Sequence, residues 1–167
     1  YYSLPSTALQ KPGPTGYNIR EKTPDKEQEE QDMDSLEVAK LTLADGDYTC
    51  VIASGGKVIF TSRERGVKPL VDYYHQWGQA HPGAALADKV IGRAAAMLAR
   101  LACIGEVYAG VISAPALEEL EKAGITAGFG EKVEAVRNRA GTGLCPMEQL
   151  SQGVEDPREM LARVEDF

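Results

Sequence analysis

The chain has 167 residues, 43% of them hydrophobic, with a formal net charge of −7, which points to one domain of roughly 120 residues plus extensions. No run of about 18 apolar residues occurs, which excludes a membrane-spanning helix, and the polar, proline-bearing start lacks the basic-then-apolar order of a signal peptide. Cys50, Cys103 and Cys145 stand far apart with no Cys-x-x-Cys spacing, a usage that favours free thiols and a cytoplasmic location.

In chain order, residues 1–34 carry Pro5, Pro12, Pro14 and Pro24 and then the charge-dense run Lys26 to Asp34. They have no apolar periodicity and read as a flexible extension or linker. Ser35 with Glu37 and the apolar Leu36, Val38, Ala39, Leu41 and Leu43 predicts a capped amphipathic helix ending at Asp45-Gly46. Tyr48 to Ala53 and Val58 to Thr61 read as a hairpin turning at Ser54-Gly55-Gly56-Lys57. Pro69 opens a helix that runs to about Gly78, with His81-Pro82-Gly83 breaking it. The alanine-rich stretch Ala84 to Cys103 reads as one buried helix, with Val90, Ala94, Met97 and Leu101 on one stripe. Gly92 inside it would cost about 1 kcal/mol relative to alanine, a cost that close packing explains before a ligand approaching the backbone does.

A strand at Val107 to Ile112 follows, then a helix from Ala114 to Ala123 closed by Gly124. Strands at Ile125 to Phe129 and Val133 to Val136 come next, with short helices at Pro146 to Leu150 and Pro157 to Val164. This alternation predicts an α/β domain over residues 35–152, a sheet covered by helices on both faces. Residues 153–167 add an acidic C-terminal helix.

Charge distribution says more than the net value. Residues 1–34 hold four basic and seven acidic side chains and residues 153–167 two and five, so the tails carry −6 and the core −1. Within that near-neutral core, Lys57, Arg63, Arg65 and Lys68 cluster against Glu64 alone, and Arg137 and Arg139 flank Asn138. Two basic loops suit one small anion better than nucleic acid; solvated loop charges are the plainer alternative.

Several separated blocks carry a family resemblance. They are Ser62-Arg63 with Arg65 to Leu70, Ala87 to Ala96, Val107-Tyr108-Ala109 with Val111-Ile112-Ser113, and Asn138-Arg139-x-Gly141-Thr142-x-x-Cys145-Pro146-Met147-Glu148. From about Leu36 to Leu150 the chain resembles a prokaryotic domain-of-unknown-function family placed in the cytidine deaminase-like superfamily. The resemblance implies a three-layer α/β/α sandwich with a mixed sheet and no established activity. A deaminase zinc takes three nitrogen or sulfur ligands and leaves the fourth position to a water, with a Glu to move protons. Here Asp88, Lys89 and Val90 stand where the first ligand and the Glu would lie. Pro115 matches the second motif's proline, but Ala116 and Glu119 replace its cysteines. His75 and His81 lack the spacing to substitute, so no metal or other cofactor is expected and zinc-dependent deamination is disfavoured.

Asp88 and Lys89, read at a helix N-terminus, would suit an anion, and Ser113 before the later helix would donate to it. With Arg65, Lys68, Asn138, Arg139 and Thr142 they form the expected binding set for a small anionic or nucleotide-like ligand. Dipole pairing for Asp88 and solvation for Lys89 are the structural alternatives. Cys145, followed by Pro146 and by Glu148 three residues on, reads as the cap of a short helix whose dipole would lower a thiol pKa. It is the candidate nucleophile of an alternative reading, a thiol-dependent enzyme or sulfur carrier, against the alternative of a small capping side chain. Tyr73, Tyr74 and Trp77 share a helix face, read as core or as the contact of a homodimer, which is the third reading, an interaction module. Walker, dinucleotide, Gly-x-Ser-x-Gly and His-Glu-x-x-His patterns are absent.

Overall fold

The computed structural model of the chain describes residues 34–167; apart from Asp34, the extension read at residues 1–34 lies outside them. Helix α1 (Ser35–Asp45) has Asp34, not Ser35, as its N-cap. The Ser35 hydroxyl instead accepts from the Gly56 N–H at 2.9 Å and so pins the helix start to the hairpin turn. That hairpin joins β1 (Cys50–Ser54) to β2 (Lys57–Ser62). Gly55 and Gly56 turn it at φ 62° and 79°, angles that an L side chain adopts only with strain.

Helix α2 (Lys68–Trp77) follows with Pro69 in its first turn. Then the structure departs from expectation. Residues 84–103 are not one helix: Ala85–Ile91 form strand β3 and only Arg93–Leu101 form helix α3, with Gly92 as its N-cap. Strand β4 (Glu106–Ser113), helix α4 (Ala114–Lys122), strand β5 (Thr126–Val133), and helices α5 (Pro146–Ser151) and α6 (Pro157–Asp166) complete the chain. The second strand expected at Val133 to Val136 is absent, because β5 itself continues to Val133.

The five strands form one mixed sheet in the order β2-β1-β3-β4-β5. β1 runs antiparallel to both of its neighbours, while β3, β4 and β5 are mutually parallel. One face is covered by α1, which packs Ala39 and Leu43 on Val51, Ala53 and Ala87. The other carries the main core, where Leu70 and Tyr73 of α2, most of α3, Ala116 and Leu120 of α4, and Met160 of α6 are buried. The acidic helix at the C-terminal end therefore contributes to this core. Each large side chain wholly withdrawn from water stabilises by about 1.5–3 kcal/mol. Leu70, Leu86, Met97 and Leu120 are such side chains; Tyr73 is also fully buried, edge-on to Phe60 at 5.5 Å with its hydroxyl unpaired, which leaves the half-buried Tyr74 and Trp77 as the outer part of the aromatic face. Among the described residues no helix is long and apolar enough to cross a membrane.

A shared bend crosses the middle of the sheet. Leu86 and Ile91 of β3 both enter the main core, as do Val107, Ala109 and Ile112 of β4. Strict two-residue alternation would send Ile91 and Ile112 to the opposite face, so both strands slip by one residue at the same level. The register passes from Asp88 paired with Ala109 to Val90 paired with Val111, skipping Lys89 and Gly110. Glycine permits it: a Cβ on Gly110 would lie 2.8 Å from the Lys89 carbonyl oxygen, and one on Gly130 would lie 2.9 Å from that of Gly110.

Candidate functional site

The parallel strands end on one side of the sheet, where α/β folds commonly bind ligands. At the end of β3 lies a cleft of about 430 Å³, within the size range of small-molecule sites. Its walls come from five places in the chain, the first of them Thr49 before β1. Glu64, Arg65, Gly66 and Val67 precede α2; Asp88, Lys89 and Val90 end β3; Ala94 and Ala95 start α3; and Val136, Arg139, Cys145, Met147 and Glu148 belong to the loop after β5 and to α5. Much of this lining is apolar, with cations at the mouth.

Asp88 is the buried polar group of the floor, 6% exposed. It sits beside Cys50 across the β1–β3 ladder. Its Oδ1 accepts from the Val90 N–H at 3.2 Å. Burial pushes its carboxyl pKa up to about 7, opposed by hydrogen bonds from the backbone N–H groups of Val90 and Lys89 and from the Cys50 thiol. Burial, with the Asp88 carboxylate next to it, raises the Cys50 thiol well above its ordinary value. Asp88 and Lys89 are thus strand residues rather than the start of a helix. Lys89 is exposed and borders both this cleft and a shallower depression beside α1.

The true start of α3 is already served by the protein's own anion. Glu148, 6% exposed, accepts from the Arg93 N–H at 2.8 Å through Oε1 and from the Val136 N–H at 3.1 Å through Oε2. One carboxylate thus satisfies a free N–H of the helix start and ties the loop after β5 against it. Gly92 is where this approach happens, since a Cβ there would meet Glu148 Oε1 at 3.0 Å. Sequence reasoning gave Glu148 a place in the cap of its own short helix, because Glu three residues after a cap residue is a local signature. Its partners lie 55 and 12 residues away, and no local pattern encodes them.

The other expected site residues divide. Arg65, Arg139 and Cys145 reach the cleft with Asp88 and Lys89. Lys68 does not line it and pairs with Asp72 at 3.1 Å. Ser113 is wholly buried and caps α4 by accepting from the Ala116 N–H at 3.2 Å. Asn138 and Thr142 hold each other, Thr142 N–H to Asn138 Oδ1 at 3.1 Å and Asn138 Nδ2 to Thr142 Oγ1 at 3.3 Å. They shape the loop that carries Arg139 rather than lining the cleft themselves. Cys145 is half-buried at the N-cap of α5, and its side chain caps no N–H. Among the described residues, Arg65, Lys89 and Arg139 enter no ion pair, nor do Lys57, Lys132, Arg137 and Arg158, which do not line the cleft, whereas Lys40, Arg63, Lys68, Arg93, Arg100, Lys122 and Arg163 do.

The residues do not fit a three-ligand zinc. Helix α3 begins at Gly92-Arg93-Ala94, which offer no imidazole, thiolate or carboxylate. Ala116 is fully buried, and Glu119 lies 3.7 Å from Arg93 and 2.8 Å from Arg100. Ion pairs thus join Glu119, in the second turn of α4, to Arg93 and Arg100 near the two ends of α3. Among the described residues, no three His, Cys, Asp or Glu side chains are grouped so as to hold a metal ion.

Residues 38–167 match the family described as TM1506, Domain of unknown function (DUF1893). The chain is also similar to the crystal structure of a DUF1893 family protein (TM1506) from Thermotoga maritima. The two are 30% identical with a TM-score of 0.73, over 79% of this chain and 88% of that one. A search of curated proteins finds no match.

Proposed function

The chain belongs to the DUF1893 family, described as a domain of unknown function, and from that premise we propose that its cleft binds a small anionic, nucleotide-like ligand without deaminating it. The observation that carries this reading is the pair of exposed guanidinium groups, Arg65 and Arg139, without ion-pair partners among the described residues, at a cleft with apolar walls. A planar guanidinium suits phosphate and carboxylate through paired N–H donors. Val67, Val90, Ala94, Ala95, Val136 and Met147 give the rest of such a molecule an apolar bed. We take the frame to be deaminase-like, with the Arg93–Glu119 ion pair in place of a metal, and the setting to be cytoplasmic.

Thermal unfolding of the full chain against a panel of nucleotides and phosphorylated sugars tests the proposal. A ligand at about one hundred times its Kd stabilises by about 2.7 kcal/mol, a rise of several degrees in Tm. That rise is expected for at least one compound, is expected to vanish when Arg65 and Arg139 are both changed to Ala, and is expected without ammonia release above background. No shift across the panel, or ammonia liberated from a bound nucleotide, would sink the reading.

A further inference from the structure

The anion site leaves the floor of the cleft unassigned, and we propose that Asp88, in its neutral form, reads an adjacent donor–acceptor pair on the same ligand: the N–H beside C=O of an oxo-heterocycle, or the amino group beside a ring nitrogen of an amino-heterocycle. This rests on the preceding reading and adds what the far end of the ligand must be. The carboxyl lines the cleft while being 6% exposed. Its protein partners are all uncharged: the backbone N–H groups of Val90, at 3.2 Å, and Lys89, and the Cys50 thiol. Among the described residues no lysine or arginine pairs with it, in contrast to Glu119 with two arginines.

The titratable and charged groups around it are Cys50 from β1, Glu64 and Arg65 from the segment before α2, Lys89 from its own strand, Arg139 and Cys145 from the loop after β5, and Glu148 from α5; α3 contributes only alanines here. Of these, Arg65, Lys89 and Arg139 are exposed and Glu148 is already engaged by two backbone N–H groups. A buried carboxyl without a counter-ion favours its uncharged form. Burial places its titration near neutrality. The neutral acid sets one O–H donor beside its carbonyl oxygen, which has two lone pairs to accept with, and this matches a donor–acceptor edge, whereas the carboxylate only accepts and would confront the ligand's acceptor. Mismatched ligands would leave buried polar groups unpaired, the strongest basis for selection in a small site.

Calorimetric titration of the full chain with the four nucleoside 5′-monophosphates and with ribose 5-phosphate, at about pH 6 and about pH 8.5, decides the matter. At the lower pH at least one nucleotide is expected to bind ten-fold or more tighter than ribose 5-phosphate. Because the bound state holds the proton, this preference is expected to fall by about ten-fold or more at the higher pH. Ribose 5-phosphate carries the same phosphate titration, so the ratio isolates the base. Asp88→Asn, which keeps a donor and an acceptor at every pH, is expected to retain the preference and lose its pH dependence. Asp88→Leu is expected to lose the preference while still binding ribose 5-phosphate. No base preference in the wild-type chain, or an undiminished pH effect in Asp88→Asn, overturns the proposal. If ribose 5-phosphate binds through Arg65 and Arg139 without base preference, the anion site stands and the role of Asp88 falls. If no compound binds, both fall.

Discussion

Glu119 and Asp88 are both withdrawn from water near α3, Glu119 at 3% and Asp88 at 6% exposure, yet their surroundings are opposite. Glu119 sits between α3 and α4 with Arg93 at 3.7 Å and Arg100 at 2.8 Å. Its charge is matched from within the chain, and nothing remains for a ligand to do. Asp88 has a thiol and two backbone N–H groups, faces a cleft, and is pushed toward neutrality by its burial. One buried carboxyl is a completed structural joint; the other has hydrogen-bonding capacity directed at a cavity. Perturbed ionisation in a cleft marks candidate functional sites for this reason.

Three experiments break or sharpen that contrast. The largest effect is expected at Asp88. Its pKa rises from 3.8 to about 7 on folding, so below about pH 3.8 both states are protonated and the group costs nothing. Between those values the unfolded chain is ionised while the folded one holds its proton, and stability falls as pH rises; above about pH 7 the full difference, about 4 kcal/mol, persists. Asp88→Asn removes this slope and is expected to exceed the wild type in stability at pH 8 by up to that amount. Urea denaturation at pH 4, 6 and 8 measures it, and a difference that stays flat with pH would refute it.

At Glu119 the sign reverses. Glu119→Ala leaves the partly buried Arg93 without its carboxylate and is expected to cost about 3 kcal/mol, the lower part of the range for breaking a buried pair, because Arg100 is substantially solvated. A loss under about 1 kcal/mol by denaturation would mean that the two carboxyls are less different than their partners imply. A smaller effect, about 2 kcal/mol, is expected for Gly110→Ala, whose Cβ would press on the Lys89 carbonyl next to Asp88. Hydrogen exchange would then show weaker protection along β3 and β4. Unchanged stability and protection would show that the sheet bend needs no glycine.

Much of the frame was legible because local chemistry and tertiary need agree. The Gly55-Gly56 turn, the end of α1 at Asp45-Gly46, Pro69 in the first turn of α2 and Cys145 as the cap of α5 fall where the residues indicate. The stretch from Ala84 to Cys103 was not legible. Ala85 to Ala87 are buried in the middle of the sheet, so they show an apolar run rather than an alternation, and alanine and leucine fit a buried strand and a buried helix alike. Gly92, which fits the interior of a helix at a cost, is the boundary signal between β3 and α3. For the site, Arg65 and Arg139 stand out in the sequence as loop cations and Cys145 as a cap, while Asp88 reads as the start of a helix although it lies in β3. That one cleft gathers them depends on pairing between distant strands, as does the hold of Glu148 on two remote N–H groups.

Arg93 is gripped at both ends, its N–H by Glu148 and its guanidinium by the carbonyls of Ser151 and Val154. A chain made from its amino end can assemble the sheet early, but the wall that Met147 and Glu148 lend to the cleft must wait for the residues up to Met160, which anchor that stretch in the core. Closure of the cleft is therefore a late event in biosynthesis, and a nascent domain would hold its strands before that wall is in place.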